Sequence, residues 1–153
     1  MAEASQTASP ELLELQAVRL DQQATDRDSA IRQCGEFLVE LGAVDPSYIE
    51  AMLLRERSIS TYVGEGVAIP HGTLAGKKSV RRDALAVLRF TEPVNWDGKK
   101  VSLCVAIAAI GDGHTEILTE LAQVLLDPER ARMLRETADP AVVVQTLRPM
   151  HKP

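Results

Sequence analysis

Apolar side chains recur along this chain at two spacings, one helical and one extended. Ala30, Ile31, Cys34, Phe37, Leu38 and Leu41 fall on one face of a 3.6-residue period and predict a helix. Thr25 with Asp28 reads as a short capping box at its start, and Gly42 as its end. A second helix is predicted from Pro46 to about Arg57, with Ile49, Met52 and Leu53 turned inward. A third begins near Thr115 and places Ile117, Leu118, Leu121, Ala122 and Leu125 on one side. The pairs Asp45-Pro46, Asp127-Pro128 and Asp139-Pro140 each read as a helix start. Aspartate accepts from the open N–H groups there, and proline suits the first helical position. The last two pairs open shorter helices.

Between these segments the pattern changes. Asp83 to Phe90 and Val101 to Ile110 are dense apolar runs, the composition of strands covered on both faces. Val67 to Ile69 is a short third strand ended by Pro70, and Ala17 to Leu20 a weak fourth. Pro93 to Lys100 carries Pro, Asn and Asp-Gly and reads as a turn. Helices bracket the strands in sequence, so the expected fold is α+β: a three-layer α/β/α arrangement with helices on both faces of one mixed sheet. A flexible tail is expected over residues 1–9, a single domain over 10–149, and a short tail over 150–153.

Composition narrows the function. Of 153 residues, 45% are hydrophobic and 25% charged, which is globular composition and argues against global disorder. Lys+Arg is 17 against Asp+Glu 22, a net charge of −5, which disfavours a nucleic-acid partner. Aromatics at 3% give no base-stacking platform. No apolar run approaches the roughly 18 residues of a membrane span, and Met1 to Pro10 lacks the basic and apolar regions of a secretory signal. A cytoplasmic, free-standing domain is the expectation. Cys34 and Cys104 sit among apolar neighbours without a C-x-x-C pairing and read as small buried hydrophobes.

Candidate chemistry gathers at two of the three histidines. His71 follows the strand Val67–Ile69, and His114 follows the strand ending at Ile110. Both stand where a strand exits into a glycine-rich loop, the place where sites gather in open α/β sheets. Pro70 stiffens the approach to His71. Taken alone, the more ordinary reading of each is a satisfied turn histidine. His151 lies in the tail. Gly76-Lys77-Lys78-Ser79 fails the phosphate-loop pattern, and Gly111-Asp112-Gly113 lacks the third glycine of a dinucleotide fingerprint. Asp112, His114 and Glu116 are a weak set of metal ligands, so no cofactor or metal is expected. Lys77, Lys78, Arg81 and Arg82 form a solvated basic cluster that can steer an acidic partner.

The nineteen residues from Arg55 to Thr73, RERSISTYVGEGVAIPHGT, resemble the signature of the mannitol/fructose-type EIIA domains of the bacterial phosphoenolpyruvate-dependent sugar phosphotransferase system. Gly111-Asp112-Gly113-His114 and the following helix are similar too, and the likeness covers roughly residues 10 to 149. The resemblance implies that His71 is the phosphorylated histidine, loaded by phospho-HPr and unloaded onto the cysteine of an EIIB domain. It implies that His114 is the supporting second histidine, that Arg55 lies near the same site, and that Glu65 is a possible supporting residue of the motif loop. Gly113 departs from the larger, often acidic residue that such domains carry before the second histidine. The wording Ser60-Thr61-Tyr62-Val63-Gly64 is similar to mannitol-type members. The alternative the resemblance leaves open is a nitrogen-type regulatory EIIA protein, phosphorylated on His71 but binding regulators.

Overall fold

The computed structural model describes residues 13–110 and 113–147, with residues 113–116 described by their backbone alone. Five strands form one mixed sheet in the order β1-β4-β5-β3-β2. They are β1 (Val18–Gln22), β2 (Tyr62–Gly64), β3 (Val67–Ala68), β4 (Ala84–Trp96) and β5 (Lys99–Ala108). β1 runs parallel to β4, β4 antiparallel to β5, β5 parallel to β3, and β3 antiparallel to β2. The helices are α1 (Arg27–Glu40), α2 (Tyr48–Ser58), α3 (Gly113–Leu125), α4 (Pro128–Glu136) and α5 (Pro140–Thr146).

Alternation along the central strands builds two cores. Ala84, Ala86, Leu88 and Phe90 of β4, with Cys104, Ala106 and Ala108 of β5, face α1 and α2. Leu85 and Val87, with Leu103, Val105 and Ile107, face the layer of α3, α4 and α5. Successive strand side chains point to opposite faces, so one continuous apolar run serves both layers. This is the expected three-layer arrangement. The two cysteines are buried as anticipated, and burial, with Cys34 alongside, raises the Cys104 thiol well above its ordinary value.

Three local expectations are corrected. The cap of α1 is Asp26, whose carboxylate accepts from the Ser29 amide at 2.8 Å, not Thr25. Asp45 does not cap α2; its carboxylate accepts from Arg81 Nε at 2.6 Å, and the helix begins only at Tyr48. Asp127 and Asp139 do cap their helices, each followed by proline at the first position. The Pro93–Lys100 turn is shorter than expected. Only Asp97 and Gly98 turn, at φ 55° and 90°, while Pro93 to Trp96 stay in β4. A two-residue turn with positive φ at both positions matches the twist of the strands it joins. Strand β2 and a 3₁₀ turn over Leu74–Ser79 complete the differences.

Candidate functional site

β3 and β5 run parallel, so their carboxyl ends lie side by side at one edge of the sheet. Beyond β3 comes Pro70-His71-Gly72, and His71 bridges to Ile107 near the end of β5. Beyond β5 the chain passes Ile110, whose amide donates to the Asp83 carboxylate at 2.7 Å, and enters α3 at Gly113. His114 therefore belongs to the first turn of a helix leaving the same end; its side chain lies outside the described residues, as do Asp112 and the side chain of Glu116.

His71 is only 3% exposed. Its Nδ1 lies 2.8 Å from the Ile69 carbonyl oxygen. A carbonyl only accepts, so Nδ1 carries the proton and the lone pair of the neutral ring resides on Nε2. Ile69 is itself held, its amide donating to the Thr61 carbonyl at 3.0 Å, and the Ile107 amide donates to the Pro70 carbonyl at 2.9 Å.

Two side chains that the sequence reading missed anchor this segment. Tyr48, at the start of α2 and 3% exposed, accepts from the Gly72 amide at 2.8 Å and donates to the Ile107 carbonyl at 2.9 Å. Burial raises its pKa, partly offset by the Gly72 bond, so the phenol keeps the proton it donates. Its ring stands so close that a Cβ at Gly72 would lie 2.5 Å from Cε1. Glu56, also 3% exposed, accepts from the Thr61 amide at 2.9 Å, the Thr61 hydroxyl at 2.5 Å and the Trp96 indole at 2.9 Å. The signal for Tyr48 was available: it precedes Met52 by one helical turn and shares its inward face, and a buried phenol needs hydroxyl partners.

Arg55 is in the last turn of α2, half-buried, with Nη1 donating to the Ile59 carbonyl at 2.5 Å. It lines a groove with Leu54, Arg57, Gly72, Thr73 and Leu74. The structure thus brings Arg55 to the residue that follows His71. Leu54 at 58% and Leu74 at 74% exposure make the groove's rim apolar, and Ile59 beside it is 68% exposed.

Glu65 is placed elsewhere. It occupies the turn between β2 and β3 with φ 56°, at the amino end of β3, while His71 follows the carboxyl end. Five residues lie between them, six steps of up to about 3.3 Å or roughly 20 Å of chain. Its carbonyl accepts from Arg135 Nη1 at 2.7 Å. The basic cluster is also partly engaged: Arg81 pairs with Asp45, and Arg82 donates to the Leu41 carbonyl at 2.8 Å. Among the described residues no group of three or more His, Cys, Asp or Glu side chains is placed to hold a metal, and no helix is long and apolar enough to cross a membrane.

Residues 11–149 match the family model described as "Phosphoenolpyruvate-dependent sugar phosphotransferase system, EIIA 2". The chain belongs to this EIIA 2 family. It is 36% identical over 126 residues to the mannitol-specific phosphotransferase enzyme IIA component of Halalkalibacterium halodurans, covering 82% of this chain and 87% of that one. It is 43% identical over 131 residues to the multiphosphoryl transfer protein of Xanthomonas campestris pv. campestris, covering 85% of this chain but 16% of that much longer one. Among solved structures, the fold superposes with a TM-score of 0.82 and 32% identity on the complex of enzyme IIA and phosphorylated enzyme IIB for mannitol from Escherichia coli, covering 90% of this chain and 99% of that one. The nitrogen regulatory protein IIA-Ntr of Neisseria meningitidis superposes at 0.78 with 29% identity, covering 89% and 96%. In this EIIA 2 chain, then, the strand-end histidine and the groove-lining arginine belong to one contiguous motif that the fold closes back on itself.

Proposed function

We propose that this chain is the phosphohistidine carrier of a sugar phosphotransferase system, with Nε2 of His71 as the seat of the phosphoryl group. The observation that carries the reading is the buried His71 ring, whose Nδ1 proton is committed to the Ile69 carbonyl. The donor is the phosphohistidine of HPr. As the Nε2 lone pair forms the new N–P bond, the donor's N–P bond breaks and its electron pair returns to the donor ring. In the second step a cysteine thiolate of an EIIB domain forms an S–P bond, and the His71 N–P bond breaks back onto Nε2. Neither step consumes a nucleotide or a further reactant.

Phosphoryl transfer depends on positioning and charge stabilisation more than on covalent assistance. An arginine has five N–H donors, of which the Ile59 carbonyl takes one from Arg55. The guanidinium makes charge-assisted bonds to phosphoryl oxygens. His114, entering from the first turn of α3, donates an N–H to the same group, and the opening amides of that helix add to the field. The apolar rim of Leu54, Ile59 and Leu74 docks the donor and acceptor proteins in turn. Mannitol is the sugar served, the phosphoryl group reaching it through the EIIB domain of a membrane permease; the mannitol-specific IIA component of H. halodurans supports that choice.

The test is reconstitution with phosphoenolpyruvate, the general carriers and membranes, comparing mannitol with fructose. The expected result is an acid-labile phosphoryl group on His71 that passes to EIIB and on to mannitol. His71→Ala loses all labelling, and His114→Ala accepts label but passes it on poorly. Normal labelling of His71→Ala overturns the assignment. Loading at His71 without handover to any sugar-specific EIIB points to the regulatory alternative.

A further inference from the structure

We infer that Tyr48 is a positioning residue for His71, its hydroxyl bridging the Gly72 amide and the Ile107 carbonyl and so fixing the segment that carries the imidazole against both α2 and β5. The inference rests on the reading of His71 as the phosphoryl carrier. In a parallel ladder, the pair His71 and Ile107 is flanked by two direct bonds. One runs from the Ile107 amide to the Pro70 carbonyl, and it is present at 2.9 Å. The other side of the bridge pairs the Gly72 amide with the Ile107 carbonyl. Here the Gly72 amide donates to Tyr48 Oη at 2.8 Å, and Tyr48 Oη donates to Ile107 O at 2.9 Å. The strand end is held by the direct Ile107–Pro70 bond on one side of His71 and by the Tyr48 hydroxyl on the other, so α2 is tied into the pairing at the histidine.

Three further features make this a built arrangement. The hydroxyl has one accepting and one donating role to fill, and burial keeps the phenol neutral so that it fills both. The ring occupies the space of a side chain at position 72, where a Cβ would meet Cε1 at 2.5 Å and Cζ at 2.8 Å, so the seat exists only because that residue is glycine. Finally, Tyr48 and Arg55 stand seven residues apart on α2, two turns along one helix face. One rigid element therefore fixes the His71 segment at its first turn and carries the phosphate-facing arginine at its last. Displacements of about 1 Å at such a site are enough to slow transfer strongly.

The test is Tyr48→Phe, which keeps the ring and removes the hydroxyl. Wild type and variant are compared in steady-state transfer from phospho-HPr and in the ¹⁵N shifts of the His71 ring. The expected result is a fall of about tenfold in kcat, the size of one lost buried hydrogen bond. The KM for the donor stays within about twofold, because the docking rim of Leu54 and Leu74 is untouched. The His71 ¹⁵N shifts move as the segment loses its tie to α2. Wild-type kcat with unchanged shifts overturns the inference and leaves the carrier reading intact; failure of wild-type protein to label at His71 overturns the carrier reading itself. If Tyr48→Phe does not fold, Gly72→Ala presses on the same ring from the other side. Slow transfer with moved shifts is again the expected result, and wild-type behaviour again overturns the inference.

Discussion

The two ends of β3 make an instructive pair. At the amino end, Glu65 sits in an exposed turn at φ 56°, tied to the rest of the molecule by Arg135. At the carboxyl end, Pro70-His71-Gly72 is buried and pinned through Ile69, Ile107 and Tyr48. Both ends belong to the same short motif, and both carry an ionisable side chain between glycines or a proline. The difference lies in what the fold brings against them. One end meets solvent and an exposed ion pair, which contributes little. The other is held by two buried polar side chains from α2, Tyr48 directly at Gly72 and Ile107, and Glu56 through Thr61, whose carbonyl holds Ile69. A position within a signature is therefore a weaker guide to chemistry than the end of the strand on which it falls.

Breaking the anchors of the pinned end must cost more than breaking the exposed one. The largest effect is expected from Glu56→Ala, which strips the Thr61 amide, the Thr61 hydroxyl and the Trp96 indole of their shared acceptor. Buried donors left unmade are expensive, and chemical denaturation is expected to show a loss of about 3 kcal/mol. Gly72→Ala comes next: overpacking against the Tyr48 ring is expected to cost about 2 kcal/mol and to lower Tm. Smaller again is an alkaline effect. Folding raises the Tyr48 pKa above its ordinary 10.0, so from that value upward the unfolded chain releases a proton that the folded chain retains. Stability is therefore full below the unfolded value and falls as pH rises toward the folded one. Denaturation between neutral pH and pH 11 is expected to show a shallower decline in Tyr48→Phe than in wild type. The smallest effect is expected from Glu65→Ala, within about 0.5 kcal/mol in stability and without change in His71 labelling. A loss of labelling there would erase the contrast between the two ends.

Much of this was readable in the sequence where physics is local. The Asp-Pro caps at Asp127 and Asp139, the amphipathic face of α1 and the doubly apolar runs of β4 and β5 each depend on neighbours within a turn or a strand. Where a partner is distant, local reading failed. Asp45 looks like a helix cap, but Arg81, far along the chain, claims its carboxylate. Pro93 to Trp96 look like a turn, but Trp96 is drawn into the interior by Glu56. His71 and Arg55 were legible as motif residues, whereas Tyr48 acts through residues 24 and 59 positions away, a separation no periodicity displays. Glu65 was legible as part of the motif but not as belonging to the opposite strand end.

The central claim is that Nε2 of His71 takes the phosphorus while Nδ1 keeps its proton on the Ile69 carbonyl. Coupled ³¹P–¹⁵N spectroscopy of the loaded, ¹⁵N-labelled chain tests it most directly. The predicted result is a single phosphorus–nitrogen coupling at Nε2 of His71, with Nδ1 still protonated. Coupling at Nδ1, or at any other residue, would contradict it.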